Sequence, residues 1–115
     1  MEIEIKRAYE KAQKSDGYRV LVDRVWPRGK SKEELELDEW LRDVAPSAKL
    51  RKWFCHDPAK FAEFKKEYKA ELAKSGVPNE LLHRAKGKKL TLVYGAKDTL
   101  HNQAVVLREY LKSLK

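Results

Sequence analysis

Two short segments constrain the fold more than anything else in the chain. Tyr18-Arg19-Val20-Leu21-Val22 and Leu90-Thr91-Leu92-Val93-Tyr94 are nearly continuous apolar runs rich in branched side chains. Strands with one wet face alternate, whereas strands covered on both faces run apolar without a break. The first segment follows the turn cluster Ser15-Asp16-Gly17, and the second lies between Gly87 and Gly95. Helical periodicity fills the sequence between them, so the two strands are joined by a helical crossover and are most simply parallel. The expected fold is therefore α/β: a small single-domain layered sheet over residues 1–115, mainly parallel, with helices packed on it. The consequence is positional. Loops that follow parallel strands open at one edge of the sheet, where ligands of open α/β folds bind.

Other elements fall around this pair. Ile3 and Ile5 alternate with Glu2, Glu4 and Lys6, a period of two that predicts a short edge or half-buried strand. The Tyr9–Gly17 connection is short for a crossover, which leaves that strand's direction open. Asp57-Pro58 is a capping residue followed by proline, and opens a helix that runs toward Gly76. Its stripe Phe61, Phe64, Tyr68 and Leu72 reads as core. Further helices are expected over Pro78–Lys86 and from about Thr99 to the end, the latter burying Ala104, Leu107, Tyr110, Leu111 and Leu114. Leu37, Trp40, Leu41 and Val44 favour a helix within Leu35–Pro46, although Leu35-Glu36-Leu37 also alternates like a strand. Ser47 can cap another turn carrying Leu50, Trp53 and Phe54, and Trp40 and Trp53 are expected in the core.

A chain of 115 residues with 42% apolar content supports one ordinary core despite 38% charged residues. No apolar run approaches the ~20 residues of a bilayer span, and Met1-Glu2-Ile3-Glu4 does not read as a signal peptide. A cytoplasmic protein with no membrane association is expected. Cys55 is the single cysteine, which rules out an internal disulfide and a cysteine-rich zinc site. Against 18 acidic residues stand 26 basic ones, a formal net charge of +8. That excess biases partners toward anions. Its densest cluster, Arg84, Lys86, Lys88 and Lys89, lies where a helix hands over to a strand and suits the negative end of the helix dipole.

The two edge loops carry the candidate site. Asp23-Arg24-Val25-Trp26-Pro27-Arg28-Gly29-Lys30 combines guanidinium forks, which match phosphate or carboxylate, with a stacking indole and a glycine that admits close approach. Gly95-Ala96-Lys97-Asp98-Thr99-Leu100-His101-Asn102 is a glycine turn leading into a helix, a generic anion site, yet neither a GxGxxG fingerprint nor a P-loop. Arg24, Trp26, Arg28, Lys97, His101 and Asn102 are accordingly the candidate ligand-binding residues. The plainer alternative is that Arg24 and Arg28 pair with Asp23 and Glu33, that Trp26 plugs the core, and that Asp98 or Thr99 merely caps the helix. Cys55-His56-Asp57 suggests a nucleophile, but neighbours on an extended segment point to opposite faces and Asp57 serves as a cap. His56, His83 and His101 are spaced too irregularly for a metal motif. No metal, no cofactor and no catalytic residue is assigned.

The stretch from Ser15 to Gly29, with its Tyr18-Arg19-Val20-Leu21-Val22-Asp23-Arg24-Val25-Trp26-Pro27-Arg28 heart, resembles a signature of the DUF488 domain family in its short branch. Leu37-Asp38-Glu39-Trp40-Leu41 through Ala45-Pro46-Ser47, Leu50 to Phe54, and Ala96-Lys97-Asp98 through Asn102 to Leu107 resemble its other blocks, so the likeness covers nearly the whole chain. It implies a small α/β domain of bacteria and archaea without an established activity. Longer members of the family carry a cysteine and a glutamate just before the Lys97-Asp98 position and a Cys-His-Arg triplet just after. This chain has Tyr94 and Ala96, then Asn102-Gln103-Ala104, so the resemblance implies no thiol chemistry here. Two function classes follow: a binder of an anionic small molecule at the C-terminal sheet edge, and a basic nucleic-acid module using Arg28, Lys30, Lys32, Lys88 and Lys89 on phosphates.

Overall fold

The computed structural model describes residues 1–114. Its sheet contains β1 (Ile3–Arg7), β2 (Tyr18–Leu21), β3 (Glu39–Trp40) and β4 (Leu90–Tyr94), in spatial order β1-β4-β2-β3 and parallel at every pairing. The two apolar runs are the central neighbours β2 and β4, with Val20 opposite Leu92. The direction left open for β1 is parallel. Its connection to β2 can be short because it holds only turns and a single 3-10 turn, Lys14–Asp16, in place of a crossover helix: ten residues could reach roughly 33 Å if fully extended, ample to recross a five-residue strand.

Strand pleating sends alternate side chains into two cores. Ile3, Val20, Val22, Leu90, Leu92 and Tyr94 face a helical layer built from α2 (Ala48–Phe54), α3 (Phe61–Ala73), α4 (Val77–Arg84) and α5 (Gln103–Ser113). Within it Phe64, Tyr68 and Leu72 are buried as their spacing requires, while Phe61 is partly covered. The other face is thinner. Leu21 and Val93 are covered there by Ala8, by Leu35 from the single-turn helix α1 (Lys32–Leu35), and by Leu37, Trp26 and Trp40.

The helix expected within Leu35–Pro46 does not form. Leu35, Leu37 and Trp40 serve the thin face, whereas Leu41 and Val44 serve the helical one. One rigid helix cannot serve both faces. Glu36 instead takes a left-handed conformation, φ 43°, and ends α1. The chain then runs along β2, where Asp38 and Leu41 donate backbone N–H groups to the Arg19 and Leu21 carbonyls. Trp53 also departs from expectation, being 41% exposed. The last helix begins later than its periodicity implies, at Gln103, with Asn102 as its cap; the end of that expected helix, Lys115, lies outside the described residues.

Gly17 is a position where the backbone admits no other residue without strain. It has φ 70°, and a Cβ there would sit 2.3 Å from the Lys89 carbonyl oxygen. Gly17→Ala is expected to cost about 1–3 kcal/mol, read from urea denaturation. A change below ~0.5 kcal/mol would show that the Gly17–Lys89 contact relaxes freely.

Candidate functional site

At the C-terminal edge the segment after β2 meets the one after β4. Asp23 joins them: its Oδ2 accepts the Gly95 N–H at 2.8 Å, and its Oδ1 accepts from the Gln103 side-chain amide. The approach depends on glycine, since a Cβ at position 95 would lie 3.1 Å from Oδ2. Trp40 anchors the same turn through its indole N–H on the Asp23 carbonyl, 2.8 Å away, and Arg7 donates from Nε to the Ala96 carbonyl at 2.9 Å.

Above Asp23 opens a cleft of about 380 Å³, within the range of small-molecule sites. Ala45, Pro46, Phe54, Phe64, Val25 and Ala96 give it apolar walls, and Gln103 contributes an amide. Arg24, Arg51, Lys52 and His56 supply its cationic groups. Among the described residues the side chains of Arg24, Lys52 and His56 make no hydrogen bond or ion pair, and Arg51 spends only its Nε, on the Pro46 carbonyl at 3.2 Å. The lining thus holds three permanent cations and a histidine against one carboxylate.

That carboxylate is perturbed. Burial pushes the Asp23 acid up from its ordinary 3.8 to about 6, against the opposing pull of the Gly95 N–H, the Gln103 amide and nearby His56. Cys55 and His56 both take left-handed backbones, φ 44° and 56°, at the end of α2 and both line the cleft. The rule that neighbours diverge holds for extended backbone, and this turn is not extended. No hydrogen bond links the Cys55 thiol to His56 among the described residues.

Of the six residues singled out from the sequence, Arg24 alone lines this cleft. Trp26 turns to the thin face, packs edge-to-face on Trp40 with centroids 5.2 Å apart, and donates its N–H to the Lys30 carbonyl. Arg28 is exposed, and its carbonyl accepts from the Tyr9 hydroxyl at 3.0 Å. Lys97 is exposed in the turn before α5. His101 lies outside the helix, in a turn tied together by Asp98: Oδ1 accepts the Leu100 and His101 N–H groups, and Oδ2 meets His101 Nδ1 at 2.9 Å. These contacts, the Leu100 N–H first, hold the Asp98 carboxyl below the usual range. Asn102, 1% exposed, accepts the Val105 N–H and donates to the Asp98 carbonyl, so its side chain is committed to capping.

Asp23, Arg51, Lys52 and Gln103 were not singled out. Asp23 carried the one usable signal, a carboxylate directly after a central strand of an α/β sheet. Arg51 and Lys52 sit on a helix whose placement over the sheet edge no local pattern reveals.

The fold and the cleft define a small parallel α/β protein with a basic pocket at its sheet edge. A family model described as "Inactive DUF488-N3 subclade" matches residues 2–114, and the chain belongs to that subclade of the DUF488 family. It is 48% identical over 115 residues to "Uncharacterized protein YeaO" of Escherichia coli (strain K12), covering 99% of this chain and all of that protein. It is 38% identical over 109 residues to "Uncharacterized protein Mb3100c" of Mycobacterium bovis and to "Uncharacterized protein Rv3073c" of Mycobacterium tuberculosis, covering 95% of this chain and 92% of each relative. No solved structure matches. Among the described residues no helix is long and apolar enough to cross a membrane, and no group of three or more His, Cys, Asp or Glu side chains could hold a metal ion.

Proposed function

We propose that this protein binds an anionic small molecule, bearing phosphate or carboxylate, in the cleft at the C-terminal edge of its sheet. The observation that carries the reading is the set of cations at the rim of a half-open, apolar-walled cleft without acidic partners of their own. Unpaired guanidinium groups beside an apolar wall are free to turn their planar forks on an anion that enters the cleft. The subclade's description as inactive is in keeping with a binding role in place of catalysis. Longer relatives resemble this chain at positions where they carry cysteine, glutamate and a Cys-His-Arg triplet. The corresponding Ala96 and Gln103 line this same cleft, and Tyr94 and Ala104 are buried beside it. A site without the longer members' reactive side chains at these positions but still lined with cations fits a subclade described as inactive.

Calorimetric titration with phosphate-bearing metabolites tests the reading. Arg24→Ala and Arg51→Ala are each expected to weaken binding about ten-fold or more, the worth of a charge-assisted hydrogen bond. Arg28→Ala, outside the cleft, is expected to leave affinity unchanged. A loss at Arg28 equal to that at Arg24 would move the site onto the Arg24–Lys30 loop. Oligonucleotide binding that falls steeply with salt and ignores Arg24 would favour a nucleic-acid module instead.

A further inference from the structure

The cleft contains a carboxylate that a simple anion site would exclude. An inorganic anion held by Arg24, Arg51 and Lys52 would sit in the same small space as Asp23, and like charges repel. Asp23 is nevertheless fixed by two donors, the Gly95 N–H and the Gln103 amide, one on each oxygen. An ionised carboxylate has about four lone-pair sites, so each oxygen keeps one acceptor position free. A ligand that suits the whole lining must bring donors to Asp23 and negative charge to the cations.

Charge decides what kind of donor. An ammonium group would enter a lining with three permanent cations and one acid, and would be repelled overall. A hydroxyl brings a donor without a charge. The same count favours a dianionic phosphate ester over a single carboxylate, and the Phe54, Val25 and Ala96 walls suit the carbon framework that joins phosphate to hydroxyls.

We infer that the ligand is a hydroxyl-bearing phosphate ester, a sugar phosphate or nucleotide, with its phosphate on Arg24, Arg51 and Lys52 and its hydroxyls on Asp23. The inference rests on the anion-binding reading above. Asp23 is then the residue that separates polyol phosphates from phosphate itself.

The test titrates ribose 5-phosphate, AMP, ribose and inorganic phosphate against the parent and Asp23→Asn, with near-ultraviolet circular dichroism to verify the variant's fold. The parent is expected to bind ribose 5-phosphate or AMP at least about ten-fold more tightly than inorganic phosphate, and ribose alone not measurably. Asp23→Asn is expected to move the two classes in opposite directions. The phosphate ester loses its strong acceptor and weakens, while inorganic phosphate loses its repulsion and tightens, so the ratio falls to within about three-fold. A purely structural role for Asp23 would shift both together. AMP much tighter than ribose 5-phosphate identifies the source as a nucleotide, and the reverse identifies a sugar phosphate; either supports the inference. Equal affinity for ester and inorganic phosphate, both lost in Arg24→Ala, would overturn the inference and leave the anion site standing. No binding of any phosphate compound would overturn both.

Discussion

Arg19→Met is expected to destabilise the protein by about 2–4 kcal/mol, because it leaves Asp16 with Lys6 as its one cation and the Leu35 carbonyl without the guanidinium donors. Arg19 is 3% exposed and lies under the thin face of the sheet. Its Nη1 meets Asp16 Oδ2 at 2.7 Å, and its Nε and Nη2 both donate to the Leu35 carbonyl, at 3.0 and 2.8 Å. Asp16, 5% exposed, also takes Lys6 Nζ at 3.1 Å and the Gln13 N–H at 3.0 Å, while its own carbonyl accepts the Thr91 hydroxyl. One pair therefore ties β1, the turn before β2, β4 and the end of α1 together on the side of the sheet that lacks a helical layer. Methionine keeps the length and apolar stem but supplies no donor to Leu35 or Asp16. Urea denaturation of parent and variant reads the difference as a lower midpoint at equal slope. A loss below ~1 kcal/mol would mean that water reaches Asp16 and replaces the guanidinium.

The same pair makes a pH prediction. Burial pushes the Asp16 acid up, but the Gln13 N–H, Lys6 and Arg19 outweigh it, and the net shift is downward from 3.8. A folded-state pKa below the unfolded one adds stability that is present in full above the unfolded value and drains as pH falls through the folded one. The contribution of Asp16 should thus persist at pH 5 and fade only below about 3.8. In Arg19→Met that acid-limb loss should shrink.

How much of this was legible beforehand follows from where each signal lives. β2 and β4 were visible because a doubly covered strand writes its burial into consecutive residues, and α3 because Phe64, Tyr68 and Leu72 all point into one core. β3 was hidden because Leu37, Trp40, Leu41 and Val44 serve two cores at spacings that imitate one helical face. The sheet edge was expected to carry a site, since loops that follow parallel strands meet there, and a cleft does open at that edge. Most of its lining was not expected. Arg24 is adjacent to a strand end, whereas Arg51 and Lys52 arrive from α2 and His56 from the turn after it, and these reach the edge only through tertiary packing. Asn102 looked like a ligand and is a cap, because an amide beside a helix start serves either purpose and only the Val105 and Asp98 contacts distinguish them.

Asp23→Asn is expected to do the opposite of Arg19→Met and stabilise the protein, by about 1–3 kcal/mol at neutral pH. The carboxylate's pKa is raised to about 6 in the fold from an ordinary 3.8, chiefly by burial. The folded state then holds its proton more tightly than the unfolded chain does, so stability falls as pH rises between 3.8 and 6 and is flat above. At pH 7 the protein carries an ionised group in a place that disfavours ionisation. Asparagine has nearly the same shape, its oxygen can accept the Gly95 N–H, and the Gln103 amide can rotate to present its oxygen to the new NH₂ group. Urea denaturation at pH 4 and pH 7.5 should show the variant's advantage near zero at the first and largest at the second. An advantage equal at both values, or a variant less stable than the parent at pH 7.5, would mean that the Gly95 and Gln103 contacts outweigh the desolvation of the charge. The expected result bears on function, because a residue that lowers stability wherever it is ionised has no structural reason to be an aspartate. Its place at the floor of a cationic cleft supplies one: a carboxylate accepts hydroxyl donors more strongly than an amide can.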